Sequence, residues 1–582
     1  MLTFDIWDTV LTRMVGTPQD VFLFVADAAD RAGLLRCAPA TFPRLRLAAE
    51  ADRIRKAGPR VCLADIYAEL SWRGAILEGG EAAACRAELG VERRLCRAVP
   101  GARARVRVAR ERHGRVGFIS EMYMPEDFLI ALLEDFGIWE PGDEVVTSAA
   151  AGCSKRGGAL YTAAARRLSV PASAITHLGN DQCLDVEGAR SAGATAVLLP
   201  LGNPNRFERL LSQHASSTGG TSSLFAGASR IARLSREDGG PFGDDPSRCA
   251  ALTAVAAGVV APVVAAFALW VLAKAKSLGI RSLYFLSRDG QIILRACQAI
   301  ERVARTGVRM RYLYAGRRAW GPGEQRDPAR RYLLGEGLRG ASDWGIVDVG
   351  WHGNMQESLG QIMGSLAKPP VGLYFGILPA AVSCTYGTRH AFLYDAPSDR
   401  GNPTPLAAEE LVAFLEMFCC GDEGGLAGYS AESPPRPILN TPRNGPAIEW
   451  GLPAVRAVLD RFTRELVAVI RDYPALAEAD MRDVAAELIS EAWMNPTGPE
   501  GEFWGSFPFE YGAEGVAVRA LAPPLRLGRL LRYGAGAHPS CLGTWWPAGS
   551  VARSDHFLRI AFRLARLARA CTCRVRKKKA LD

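Results

Sequence analysis

The sequence predicts an α/β fold. A Rossmann-like parallel sheet with a helical cap is expected over residues 1–211, a second α/β domain over 249–403, and a mainly helical region with a basic tail over 404–582. Three observations carry this reading. Short apolar runs in the first 200 residues alternate with helical stretches, and each run stops at a polar side chain. The same strand–loop–helix rhythm returns after residue 280. Between the two lies a Ser-, Gly- and Asp-rich stretch, 212–248, which reads as a flexible linker.

A chain of 582 residues is long enough for two or more domains, each burying its own core. With 48% hydrophobic and 23% charged residues, its composition is that of a folded protein. The net charge of +9 is unevenly spread, because residues 551–582 hold ten Arg or Lys against two Asp. The rest is close to neutral, so a body built to bind nucleic acid is not expected. The 14 cysteines are scattered and no CxxC occurs. That spacing offers neither a zinc site nor a disulfide framework, and it suits a reducing, cytoplasmic setting. Asp5 and Asp8 interrupt any apolar leader. Residues 249–273 carry no charge and are long enough to span a bilayer, but they are mostly Ala and Val with Gly258 and Pro262 inside. Ala is a weak insertion signal, so this run is read as buried helix.

The elements of the first domain follow in order. Phe4-Asp5-Ile6-Trp7-Asp8-Thr9 reads as a short buried strand whose exit loop presents Asp5. Open α/β sheets bind ligands beyond the carboxyl ends of their strands. Thr17 can cap a helix with Pro18 at its first position. The Ala-, Arg- and Leu-rich sequence that follows predicts a cap of several helices at about 14–100. Val116-Gly117-Phe118-Ile119-Ser120 is a second strand and Glu144-Val145-Val146-Thr147-Ser148 a third. Lys155 then opens a helix, where the dipole disfavours a cation, and this singles it out from surface lysines. Ile175-Thr176-His177-Leu178-Gly179 is a fourth strand leaving through Asn180-Asp181-Gln182-Cys183-Leu184-Asp185, and Thr195 to Leu199 is a fifth.

Four strand ends thus offer a carboxylate, a hydroxyl, an ammonium and a carboxylate pair. Asp5 with Asp181 or Asp185 can hold Mg²⁺ through oxygens. Ser120 and Lys155 can bind a phosphate gripped by the same ion. Asp5 can then attack phosphorus to form an aspartyl-phosphate, with Lys155 offsetting the gathered charge.

On these residues the first 200 or so positions resemble the haloacid-dehalogenase (HAD) superfamily, whose motifs match in order at Asp5 with Thr9, at Ser120, at Lys155, and at Gly179 through Asp185. The wording is similar still more closely to a subgroup with FDIFDTLLTR, SDMYLP, SKR and HIGDN..SD signatures. The resemblance implies a Mg²⁺-dependent hydrolase of a phosphorylated small molecule. Asp5 would be nucleophile and metal ligand, Thr9 would lie beside the substrate, and Ser120 and Lys155 would bind the phosphoryl group. Asn180, Asp181 and Asp185 are the candidates to complete the metal site. The subgroup implies a place beside glycosyltransferases in surface-polysaccharide synthesis, hence a sugar-phosphate substrate and a glycosyltransferase partner.

Two departures stand out. Superfamily phosphatases carry an aspartate general acid two residues after the nucleophile, and here that residue is Trp7. An indole cannot give and recover a proton at neutral pH. Asp8, one residue on, is the remaining acid, and dehalogenase members also carry an aromatic at the Trp7 place. Asn180 stands where the subgroup has Asp, with Asp181 next to it, so which of the two faces the metal is open at this point. Trp7 also favours a rival reading, a binding scaffold that recruits a polysaccharide-synthesis partner. Phosphotransfer between two sugars is a third reading.

In the second half, Leu283-Tyr284-Phe285-Leu286 is a strand leaving through Ser287-Arg288-Asp289-Gly290, followed by a strand at 311–314 beside Arg317 and Arg318. Gly345-Ile346-Val347-Asp348-Val349 leads into Gly350-Trp351-His352-Gly353, and Gly372 to Ile377 is another strand. Two glycines at a strand-to-helix turn let backbone N–H groups approach an anion. Arg288, Asp289, Asp348 and Gly353 are therefore expected to bind a phosphorylated sugar or nucleotide. The subgroup's longer members resemble this half in the FLSRDG and DVGWxGxMQ stretches. In the tail, Phe557, Ile560, Leu564 and Leu567 alternate with Arg559, Arg563, Arg566 and Arg569. This is the pattern of a basic amphipathic helix, which can make peripheral contact with an anionic membrane.

Overall fold

The computed structural model describes residues 1–235, 245–340, 342–379, 383–395, 401–511 and 517–579. The chain divides into two compact units, Met1–Arg236 and Glu237–Asp582.

The first unit contains β1 (Leu2–Phe4), β2 (Leu11–Arg13), β3 (Cys96–Ala98), β4 (Gly117–Ser120), β5 (Glu144–Thr147), β6 (Thr176–Gly179) and β7 (Thr195–Leu198). Five of these form a parallel sheet in the order β5-β4-β1-β6-β7. Successive side chains of a strand face opposite ways, and the core follows that alternation. Phe4, Phe118 and Val145 pack with Leu129, Leu132 and Leu133, while Ile119 and Val146 pack with Leu160, Ala164 and Leu168. The connections leave β1 to one side through β4 and β5, then cross to β6 and β7 on the other. That reversal opens a crevice at the carboxyl ends of β1 and β6.

The cap helices Val21–Arg31, Phe42–Ala57, Leu63–Trp72 and Glu81–Leu95 are inserted between β2 and β3, which pair antiparallel. The cap core holds buried charge in matched pairs. Arg46 donates to Glu88 twice, at 2.7 and 2.8 Å, and Tyr67 donates to the same carboxylate at 2.7 Å. Arg13 on β2 donates to Glu92 at 2.7 Å. A buried ion costs less when it has a counter-charge and hydrogen bonds, as each of these does.

The stretch expected to be a flexible linker departs from that reading. Thr221–Leu234 is a buried helix of the first unit. Its small residues serve close packing: a Cβ on Gly227 would lie 2.1 Å from the main-chain carbon of Met14. Arg230 of this helix donates to Thr12 Oγ1 at 3.0 Å and to Gly16 O at 2.7 Å. The part of the expected linker at 236–244 lies outside the described residues.

The second unit carries β8 (Ser282–Leu286), β9 (Arg309–Leu313), β10 (Trp344–Trp351), β11 (Val371–Ile377) and β12 (Thr388–Asp395). They form a parallel sheet in the order β12-β11-β10-β8-β9, which reverses direction between β8 and β10. The uncharged run belongs to a helical stretch, Pro246–Ser277, that is long and apolar enough to cross a membrane, and 94% of its most apolar window is buried inside the unit. There Phe267 meets Phe375 of β11 with ring centroids 5.1 Å apart. Residues beyond 404, expected as a separate helical region, belong to this same compact unit. Arg456 of the helix Leu452–Ile470 reaches both Asp422 and Gln291. Two short ribbons, Leu426–Tyr429 with Pro437–Leu439 and Pro508–Tyr511 with Ala517–Ala520, interrupt the helices of that region.

Candidate active site

Asp5 follows β1 directly, and its N–H donates to Leu178 O of β6 at 2.8 Å, which fixes it at the mouth of the β1/β6 crevice. Lys155 enters from the loop after β5. Glu121 holds that loop by accepting from Lys155 N at 2.8 Å and from Ser154 Oγ at 2.7 Å. The Lys155 ammonium, 2% exposed, donates to Asp5 Oδ1 at 2.5 Å and to Asp185 Oδ1 at 2.6 Å. Ser120 is buried at the end of β4, and Phe4 pairs with Phe118, so the hydroxyl lies on the strand beside Asp5 just beyond its level. The Thr9 hydroxyl lies 3.4 Å from Asp5 Oδ2.

Asp185 is held by several protein groups. Besides Lys155, its Oδ1 meets His177 Nε2 at 3.3 Å and Tyr161 OH at 3.4 Å, and its Oδ2 accepts from Asp181 N at 2.9 Å. Gly179 is required for this approach, because a Cβ there would fall 2.3 Å from the Asp185 carboxyl carbon. Burial alone would raise the Asp185 carboxyl, but the His177 hydrogen bond and the Lys155 charge outweigh it and hold it below the usual range. Burial pushes His177 down to about 4, so the ring is neutral. Asp185 then takes Nε2–H, and Nδ1 is left to accept from Thr3 Oγ1 at 2.9 Å. Burial also raises Asp5, to about 7, against the pull of Lys155. The two carboxylates share one lysine almost equally, and the extra donors on Asp185 decide which of them keeps its charge. Burial would lower the Lys155 ammonium, but Asp5 and Asp185 outweigh it and keep it charged.

The expected metal ligands separate into two groups. Asp181 turns away from Asp5 to cap a helical turn, accepting from Cys183 N at 2.8 Å and Leu184 N at 2.7 Å. Asp185 is spent on Lys155 and His177. Asp185 thus meets Asp5 through the shared Lys155 ammonium, and among the described residues no three His, Cys, Asp or Glu are grouped to hold a metal. Asn180 is the residue that meets Asp5. Asn203 Nδ2 donates to Asn180 O at 3.1 Å, which leaves Asn203 Oδ1 facing the Asn180 side chain at 2.6 Å. Only the Asn180 amide nitrogen suits that contact. The opposite amide atom, an oxygen, then lies 3.2 Å from Trp7 O and 3.3 Å from Asp5 Oδ2. Turning the amide would give both inward oxygens a donor but would oppose two oxygens at the Asn203 contact. The Asn180 oxygen, which also accepts from Thr9 Oγ1 at 3.4 Å, thus stands near two further oxygens at a spacing close to that between adjacent ligands of Mg²⁺, about 2.9 Å. Asp5, Asn180 and the Trp7 carbonyl fit such an ion.

Asp8, expected to share in catalysis, is committed elsewhere. Its carboxylate accepts from Thr12 Oγ1 at 2.6 Å and pairs with Arg230 at 3.3 Å. Trp7 is buried beneath Arg13, whose guanidinium carbon stands 3.5 Å above the indole centroid. Asn203, His177 and Glu121 were not singled out from sequence. His177 and Glu121 adjoin motif residues, whereas Asn203 follows the last strand with no local signal.

In the second unit Asp289 follows the end of β8, and Asp348 lies within the adjacent β10, one residue past Val347, which pairs with Phe285 of β8 at the reversal. Burial raises both, Asp289 to about 6 and Asp348 to about 7, and Glu416 is likewise raised to about 7. Arg288, expected to bind substrate, pairs with Glu510 at 2.8 Å. The Gly353 turn is not an open anion cradle. Gly353 has φ +73°, and a Cβ there would meet the Arg389 guanidinium carbon at 2.4 Å. Arg389 donates to Gly353 O at 3.2 Å and to Glu357 at 2.6 Å, so the turn is already filled by a cation.

The first unit is thus a Rossmann-like α/β protein with a buried carboxylate–lysine–carboxylate centre at a sheet reversal. In company of that class, the chain is similar over about a third of its length to HAD-family hydrolases of known structure. A HAD phosphatase from Thermococcus onnurineus is 18% identical, covering 35% of this chain and 87% of that one at a TM-score of 0.25. A 2-haloacid dehalogenase from Pseudomonas syringae pv. Tomato DC3000 is 17% identical, covering 35% and 87% at 0.28. The HAD-hydrolase YfnB from Bacillus subtilis, bound to magnesium, is 13% identical, covering 34% and 88% at 0.26. No family model and no curated protein matches the chain.

Proposed function

We propose that the first unit is a Mg²⁺-dependent HAD-type hydrolase acting on a phosphorylated small molecule through an aspartyl-phosphate. The observation that carries this is the buried Lys155 ammonium between Asp5 and Asp185 at the carboxyl edge of the sheet. Asp5, Asn180 and the Trp7 carbonyl would hold the ion, which when bound neutralises charge and orients the phosphoryl group. Asp5 attacks phosphorus, the bond to the leaving oxygen breaks, and water then attacks the phosphorylated Asp5 and frees it. Lys155 offsets charge on Asp5 and the phosphoryl oxygens, and the Ser120 hydroxyl donates to one of them. The resemblance to the polysaccharide-associated subgroup favours sugar phosphates as the substrate class and a glycosyltransferase as the partner.

A second reading, a weakened HAD scaffold that recruits such a partner, is favoured by Trp7 beneath Arg13 and by Asp8 bound to Arg230. Phosphotransfer to an acceptor other than water would use the same first step. The purified chain with Mg²⁺, assayed against sugar phosphates and an aryl phosphate, separates these readings. Turnover abolished by Asp5→Asn is expected. Undiminished turnover in that variant rejects the assignment, and no turnover of any substrate by the unmodified chain favours the scaffold.

A further inference from the structure

The helix His556–Lys579 has two apolar faces. One is used: Leu558, Ala561, Phe562 and Ala565 pack on a small core of Leu525, Leu530 and Leu542, and Phe562 stacks on Tyr533 at 6.0 Å. The other is bare. Phe557, Ile560, Leu564 and Leu567, spaced by three, four and three residues, are 64, 44, 62 and 66% exposed. Leu531 on the helix Leu527–Gly534, against which this one packs, is 67% exposed as well. An apolar stripe this long is uncommon on a solvated surface.

What covers the stripe is indicated by charge. The helix holds nine Arg or Lys and no Asp or Glu, and Arg559, Arg563 and Arg566 are exposed on it. A second copy packed stripe to stripe would bring two such helices together with no acid on either to compensate. An anionic bilayer meets both features at once. The stripe can enter the headgroup boundary while the arginines, with apolar stems and charged heads, stay at the phosphate level. We propose that this helix docks the protein in plane on an anionic phospholipid surface, with Phe557, Ile560, Leu564 and Leu567 inserted. The contact is peripheral and is independent of the apolar helix Pro246–Ser277, which is already buried.

Co-sedimentation of the full chain with phosphatidylglycerol/phosphatidylcholine vesicles tests this. The chain is expected to pellet with anionic vesicles at low salt, to be released at roughly 0.5 M NaCl, where screening shortens to a few ångströms, and to stay in solution with pure phosphatidylcholine. The double variant Leu564→Glu/Leu567→Glu is expected to lose binding at least tenfold with an unchanged melting temperature, since both side chains are exposed. No pelleting with anionic vesicles, or equal pelleting by the double variant, overturns the proposal. So does sedimentation velocity showing a dimer that the same variant dissolves, which would assign the stripe to a second copy.

Discussion

Asn203 holds Asn180 from both ends, accepting from its side-chain nitrogen at 2.6 Å and donating to its main-chain oxygen at 3.1 Å. This clamp decides which amide atom faces Asp5. Asn203→Ala frees the amide to turn its nitrogen inward, where it would repel a cation. Groups that orient a metal ligand typically cost roughly 10- to 100-fold in affinity when removed. Calorimetric titration with Mg²⁺ is expected to show a loss at the lower end of that range, with little change in the metal-free melting temperature.

Lys155 compensates two buried carboxylates at once. Lys155→Met leaves both without a counter-charge, and stranding a buried ion costs about 3–5 kcal/mol. Denaturant unfolding at pH 8 should show a loss of this order. The loss shrinks as the pH falls, because protonating a carboxyl removes the stranded charge.

Among the described residues, the two that follow Asp5 on its loop and could have supplied an acid do not serve as one, since Trp7 carries no usable proton and Asp8 is bound to Thr12 and Arg230. The rate should therefore depend steeply on leaving-group acidity. Aryl and acyl phosphates are expected to turn over at least 100-fold faster than alkyl phosphates of similar size, an effect within the range of general acid catalysis. A flat series would mean that an acid is supplied from elsewhere.

Burial first, and then the neighbouring Asp289 charge, push the Asp348 carboxyl up from 3.8 to about 7 in the folded second unit. Between these values the folded state holds a proton that the unfolded state releases, so this group lowers stability as the pH rises from about 4 to 7. Asp348→Asn removes the effect. Melting curves should show the variant more stable than the parent at pH 8 by about 4 kcal/mol and nearly equal to it at pH 4.

The local sequence determined much of this protein. Apolar runs of three to eight residues fixed the strands, because a strand's burial pattern is written in consecutive side chains. Each run's end placed Asp5, Ser120 and Lys155 at one sheet edge, and Trp7 told of the missing acid. The tertiary structure decided what those neighbours leave open. Asp8 is drawn off by Arg230, 222 residues away, and Asn180 rather than Asp181 is aimed at Asp5 by Asn203, 23 residues on. Small residues at 221–234 looked like linker because Ser and Gly mark flexibility and close packing equally well. Gly353 looked like an anion cradle until Arg389, from a different strand, filled it. In each case the deciding partner is brought in by chain packing over a distance that no local period encodes.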